Sequence, residues 1–301
     1  MEIERVTASV TSHGESPVWA PDWGGLHLVD LLAGDVLSLD VHTAAVSRRN
    51  LGTIVAALRP RANGGAVLAM ERGFALLDPS DVVGRSPFGA GRDGRRSPPL
   101  RLLPELWSVE AGIRMNDGAC APNGNFYCGS LAYGSELGAA ALYRLDTDGS
   151  ATVALTSVGI SNGLAWSPDG SRAYHIDAAS GCIDVFDYDP DTGLSSRRPW
   201  AVASATDGAP NGLTVDADGG VWVALCGGGA VCRFDARGRM DAVLRVPVPR
   251  VTACTFGGDN LDTLYITTSQ TETDRERHPA AGAVYAAQVG VRGLPVSLFA
   301  G

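Results

Sequence analysis

The stretches "ISNGLAWSPDGSRAYHID" (160–177) and "APNGLTVDADGGVWVAL" (209–225) read almost alike. Each has Asn-Gly-Leu, an alternating run, an Asp-Gly turn and a second run of strand formers. The two asparagines, Asn162 and Asn211, stand one repeat of about 50 residues apart. Working outward, the same punctuation recurs along the chain: "DWGG" (22–25), "ANGG" (62–65), "PNGN" (122–125), "PDGS" (168–171), "ADGG" (217–220) and "GGDN" (257–260). A strand-like run follows each, such as "LHLVD", "AVLAM" or "TLYITT", and most lead to a second run ending near an aspartate.

A unit of a few strands cannot bury its apolar face alone, so units of this length stack around an axis as blades. Six such units use the whole chain of 301 residues; a seventh would need shorter repeats than the sequence shows. The predicted fold is therefore all-β, a six-bladed β-propeller over 1–301 as one domain. No long helical periodicity competes with it, and short helical connectors are expected only around "LPELWSVE". The irregular, locally basic segment 79–101 reads as a surface excursion between strands.

Composition narrows the function classes. A formal net charge of −9 repels phosphate backbones and argues against nucleic acid. No run approaches the roughly 20 apolar residues of a membrane helix, and the start has no basic-then-apolar signal. The six cysteines form no Cys-x-x-Cys pair, and several sit in strand-like runs, which favours reduced thiols in a cytoplasmic protein.

In a propeller, residues at the starts of innermost strands converge on one end of a central channel. Those positions hold Glu15 in "HGESPVW", Arg114, Asn116 and Asp117 in "RMNDG", Asn162 in "SNGL" and Asn211 in "PNGL". Taken singly, each has a plainer reading. Asn-Gly pairs usually make turns. Glu15 reads as a solvated loop carboxylate, Arg114 as half of a surface ion pair, and Asp117 as a structural hydrogen-bonding group. His13 and His175 read as structural, and Trp19, Trp166 and Trp222 as core.

Taken in order, "GESPVW", "RMNDGACAPNGNFYCGSLAYG", "SNGLAWSPDG", "CIDVFDYDPDTG", "NGLTVDADGGVWVALCGGGAVCRFD" and "TACTFGGDNLDTLYIT" resemble the senescence marker protein, regucalcin and gluconolactonase (luciferin-regenerating enzyme-like) family over essentially the whole chain. The resemblance implies a six-bladed propeller with one divalent cation in the channel, and in many members hydrolysis of sugar lactones. Carried over, the cation ligands are Glu15, Asn162 and Asn211. Oxygen ligands suit Ca²⁺ first, with Zn²⁺, Mg²⁺ or Mn²⁺ as alternatives. The substrate contacts are Arg114 and Asn116, with Tyr133 where the family has an acidic residue.

The departure is Asn211, which stands where the family has an aspartate acting as both ligand and general base. An amide oxygen still ligates, but it takes no proton at neutral pH, and it removes a charge that tunes cation affinity. The readings left open are a weakened lactonase, another base, a different chemistry, or an amide introduced to trap a complex. Asp117 and Asp207 are the nearest substitute bases. The leading expectation is a metal-dependent lactonase acting on a small-molecule lactone. The alternatives are a non-hydrolytic cation- or ligand-binding propeller, and an enzyme on the same scaffold acting on a non-sugar lactone or cyclic biosynthetic intermediate. Oligomeric state is open, and a monomer is compatible with the fold.

Overall fold

A computed structural model describes residues 2–79, 100–134, 138–203 and 208–301. Six four-stranded antiparallel sheets form a ring. The innermost strands, in blade order, are Gly14–Ala20, Val55–Pro60, Ile113–Cys120, Ser161–Trp166, Ala209–Val215 and Val251–Gly257. The ring closes through the chain's start: Ile3–Arg5 pairs with Tyr285–Gln288 and becomes the outer strand of the sixth blade. Closure of this kind leaves open edges only at the outer strand of each blade.

The repeat read from the sequence is half of each blade. The punctuated pair of runs supplies the second and third strands, as in Arg172–Asp177 and Cys182–Asp189. An inner strand before it and an outer strand after it complete the four. The outer strands carry the weakest hydrophobic pattern, because one side faces water: Val46–Asn50 and Met240–Arg245 are mostly exposed or half-buried. Around "LPELWSVE" the chain makes one short 3₁₀ turn, Val109–Ala111. Most of the basic excursion, 80–99, lies outside the described residues.

The core lies between adjacent blades. Trp222 is fully buried against Phe256 of the next blade, and Trp166 is buried beside Tyr127 and Tyr188. Trp19 is half-buried and stacks on Tyr265. His175 is buried in blade four, where its Nε2 lies 2.8 Å from the Ser161 hydroxyl. All six cysteines are free thiols. Among the described residues, no helix is long and apolar enough to cross a membrane.

Candidate active site

The inner strands do not run as regular ladders where the candidate residues sit. Pairing with the second strand slips between Glu15 and Val18, between Met115 and Gly118, between Ser161 and Leu164, and between Pro210 and Leu213. Such bulges bend a strand and re-aim its side chains. Asn116, Asp117, Asn162 and Asn211 all lie inside these slips, so the same local device in successive blades turns them toward the axis. At Glu15 the next residue, Ser16, takes φ +47°, an uncommon conformation for a residue with a side chain. Its hydroxyl accepts a 2.7 Å hydrogen bond from Arg59 Nη1.

Neither Asn-Gly pair is a turn. Gly163 and Gly212 have ordinary φ values, and each instead makes room for the next blade. A Cβ on Gly163 would lie 2.6 Å from the Leu213 nitrogen and 2.8 Å from the Asn211 carbonyl oxygen; one on Gly212 would lie 2.4 Å from Ala253 Cβ. The glycines let inner strands approach, and the asparagines use the resulting position at the channel.

Glu15, Arg114, Asn116, Asp117, Asn162 and Asn211 are all buried. Arg114 Nη1 donates to Asn116 Oδ1 at 3.0 Å, and Asn116 Nδ2 donates to Asn162 Oδ1 at 3.2 Å and to the Ser161 carbonyl at 2.8 Å. Two oxygens stand apart: Glu15 Oε2 and Asn211 Oδ1 are buried and have no hydrogen-bond partner among the described residues. A buried acceptor without a donor costs about 1–3 kcal/mol, so two at one site call for a ligand. Both are hard oxygen donors, and a divalent cation is the ligand they fit. Among the described residues no three His, Cys, Asp or Glu side chains gather as a metal centre, because this donor set is one carboxylate and two amides.

The site's electrostatics agree with that fit. Burial, reinforced by Asp117, raises the Glu15 pKa to about 8 against the opposing pull of the Ser16 N–H and Arg114. Asp117 is raised by burial, while Arg59 and the Gly118 N–H hold it down. That N–H donates to Asp117 Oδ1 at 2.7 Å. Burial, Arg114 and Arg250 lower His13 to about 4, so the ring is neutral at pH 7.

Several members of the site carry no sequence signal. His13 Nε2 lies 3.6 Å from Glu15 Oε1, and its Nδ1 lies 2.9 Å from the Ser269 hydroxyl, so the residue read as structural borders the site directly. The Cys226 thiol sits beside the Asn211 side chain, and burial raises its pKa. Glu71, from the hairpin after Ala66–Met70, accepts a 2.8 Å hydrogen bond from Tyr133 Oη at the site's rim. Tyr133 itself is half exposed, and the Glu71 carboxylate pushes its phenol up to about 12 after the larger effect of burial. Asp207 lies outside the described residues. At the opposite ends of the inner strands, a separate cavity of about 400 Å³ is lined by Trp19, Arg59, Trp166, Thr214 and Thr255, with 294–297 crossing it.

Residues 13–270 match the family model described as the SMP-30/Gluconolactonase/LRE-like region. The chain is 33% identical to the pentonolactonase XacC of Haloferax volcanii over 303 residues, which is 98% of this chain and 97% of the relative. It is 31% identical to regucalcin of Xenopus laevis, over 100% of this chain and 99% of that one. Among solved structures, a luciferin-regenerating enzyme superposes with a TM-score of 0.86 at 25% identity, covering 99% of both chains.

Proposed function

The chain belongs to the SMP-30/gluconolactonase/LRE-like family, and we propose that it is a lactonase-type hydrolase that opens a sugar-type lactone to its hydroxy acid. Its relative in Haloferax volcanii bears the name pentonolactonase, which supports the reaction class. The observation that carries the reading is the pair of unpartnered buried oxygens, Glu15 Oε2 and Asn211 Oδ1. With Asn162 Oδ1, they would hold one divalent cation from three different blades. A divalent cation there, Ca²⁺ before Zn²⁺, Mg²⁺ or Mn²⁺, would supply polarisation of the ester carbonyl when bound.

The chain's own residues do the rest. Arg114 and Asn116, locked to each other, bind and orient the ring oxygens. Tyr133 meets a substrate hydroxyl at the rim. Water adds to the carbonyl carbon, the ring C–O bond breaks, and the ring oxygen leaves as a hydroxyl. Asn211 cannot take the water's proton, so Asp117, a buried carboxylate that acts electrostatically on Glu15, is the proton acceptor. The amide at 211 also favours a second reading, in which the site binds cation and ligand without turnover.

Acid release from a lactone panel, measured with chelator and with added Ca²⁺, tests the first reading. Chelator is expected to abolish hydrolysis, Ca²⁺ to restore it, and Glu15→Gln to lower it at least about 100-fold, the scale of losing several kcal/mol of charge stabilisation. Ligand binding without acid release from any lactone would transfer support to the second reading.

A further inference from the structure

Beyond the cation ligands, the rim of the site holds a carboxylate that nothing in the motif pattern assigns. We propose that Glu71, held in place by Tyr133, is a specificity-determining residue that selects lactones bearing hydroxyl groups; this rests on the lactonase reading above.

The backbone at Glu71 is fastened to the third blade. Its carbonyl accepts from Met115 N at 2.9 Å, one residue past Arg114, and the next carbonyl, of Arg72, accepts from Leu106 N at 2.9 Å. The carboxylate is held at both oxygens. Tyr133 Oη donates to Oε1 at 2.8 Å, and Thr53 Oγ1 donates to Oε2 at 3.3 Å. Tyr133 is anchored in turn, its N–H donating to the Gly112 carbonyl at 2.8 Å. Three blade segments far apart in sequence thus fix one acidic group.

Its charge is only partly answered by protein. Arg72 Nη1 is 3.8 Å away, but the Arg72 guanidinium is bonded more closely to Glu105. An ionised carboxylate has about four acceptor positions, and among the described residues two donors occupy two of them. The Glu71 side chain is 26% exposed, so the others are open to a ligand.

Position decides what that ligand is. Arg114 pairs across its hairpin with Leu131, two residues before Tyr133, its neighbour Met115 donates to the Glu71 carbonyl, and its own Nη1 donates to Asn116, so it joins the rim pair to the buried site. A ring whose carbonyl faces the cation that Glu15, Asn162 and Asn211 would hold, and whose body crosses Arg114, presents its substituents to Glu71. A carboxylate accepts and does not donate, so it rewards a hydroxyl there. An apolar substituent would strip water from the carboxylate and replace it with nothing. A site built around such a group therefore discriminates strongly against the analogue lacking the hydroxyl.

The test compares kcat and KM for gluconolactone and for unsubstituted valerolactone in the full chain, Glu71→Gln and Tyr133→Phe, at saturating Ca²⁺. Glu71→Gln keeps the shape and removes the charge. Its KM for gluconolactone is expected to rise about 10- to 100-fold with a smaller change in kcat, the scale of one charged hydrogen bond. The kcat/KM ratio of gluconolactone to valerolactone falls by the same factor. Tyr133→Phe, which keeps the carboxylate but frees it to move, lowers the ratio about 3- to 10-fold, the scale of a neutral hydrogen bond. A parallel loss on both substrates, or an unmoved ratio, overturns the proposal. If Glu71→Gln melts well below the parent, Tyr133→Phe decides. Should the unmodified chain hydrolyse neither lactone, the lactonase reading fails by itself. Calorimetric binding of gluconate against valerate to the same variants then decides the role of Glu71.

Discussion

Asn162 and Asn211 occupy the same place in successive blades, inside the same bulge and before the same close-packed glycine, yet their surroundings differ. Asn162 is held. Its Oδ1 accepts from Asn116, and the preceding Ser161 hydroxyl meets His175 behind the strand. Asn211 is open. Its Oδ1 has no hydrogen-bond partner among the described residues, and Pro210 precedes it with no hydroxyl to offer. The repeat therefore builds the position, and the neighbouring blade decides whether the amide is prearranged or left to bind.

The largest consequence falls on the open amide. Asn211→Asp adds a charge at an oxygen that has no donor among the described residues, in a cation site with one carboxylate. It also adds a proton acceptor freer than Asp117, whose Oδ1 is occupied by the Gly118 N–H. Lactone hydrolysis is expected to rise about 100-fold, within the 10²–10⁴ range of general-base catalysis, with tighter Ca²⁺ binding by calorimetry. Asn162→Asp is expected to tighten Ca²⁺ less and to leave the rate near the parent's, because Asn116 already engages that oxygen. Equal gains at the two positions would break the comparison.

The glycines give the next effect. Gly163→Ala drives a methyl into backbone atoms of Leu213 and Asn211, the strand that carries the open amide. Overpacking there is expected to cost about 3 kcal/mol by denaturant unfolding, and to weaken Ca²⁺ binding as well. Gly212→Ala meets the Ala253 methyl first, at 2.4 Å, with Ala253 Cα at 2.8 Å and the Thr252 carbonyl at 3.0 Å behind it. Its cost is expected to be about 2 kcal/mol, partly recovered by Ala253→Gly. Loss of Ca²⁺ binding in Gly212→Ala but not in Gly163→Ala would reverse the assignment.

Much of this was legible in the sequence, for a physical reason. Blade spacing, Asp-Gly turns and strand alternation are local, and a closed ring of six follows once they recur. The residues at the inner-strand starts could be named because the topology brings those positions together wherever the blades are. What sequence reading could not reach was contact between blades. Glu71 and Tyr133 are 62 residues apart, and neither sits in a pattern that predicts the other. His13, two residues before Glu15, shares its strand face by alternation, so that contact was within reach of the sequence and was missed because the ring read as structural. The Asn-Gly pairs look like turns, and only the close approach of the next blade shows that the glycines serve packing.

The smallest effect separates the held amide from the open one through pH. His175 is fully buried behind Asn162, its Nδ1 has no hydrogen-bond partner among the described residues, and burial, with Arg197 adding to it, lowers its pKa to about 4 from an ordinary 6.5. A folded pKa below the unfolded one means the unfolded chain binds the extra proton. This contribution is therefore complete above pH 6.5 and is lost as pH falls from 6.5 toward 4, by about 1.4 kcal/mol per pH unit. His13 and His27, also lowered to about 4 by burial, act in the same window and direction. Glu15 opposes them in the cation-free protein, because its raised pKa stabilises the fold as pH falls from about 8 to 4.5. His175→Gln, with an amide that can still meet the Ser161 hydroxyl, is expected to flatten the unfolding free energy between pH 6 and 4.5 by one such increment per unit. An unchanged slope would mean that His175 is not what makes the Asn162 strand sensitive to acid, and that the two amides rest on equally indifferent supports.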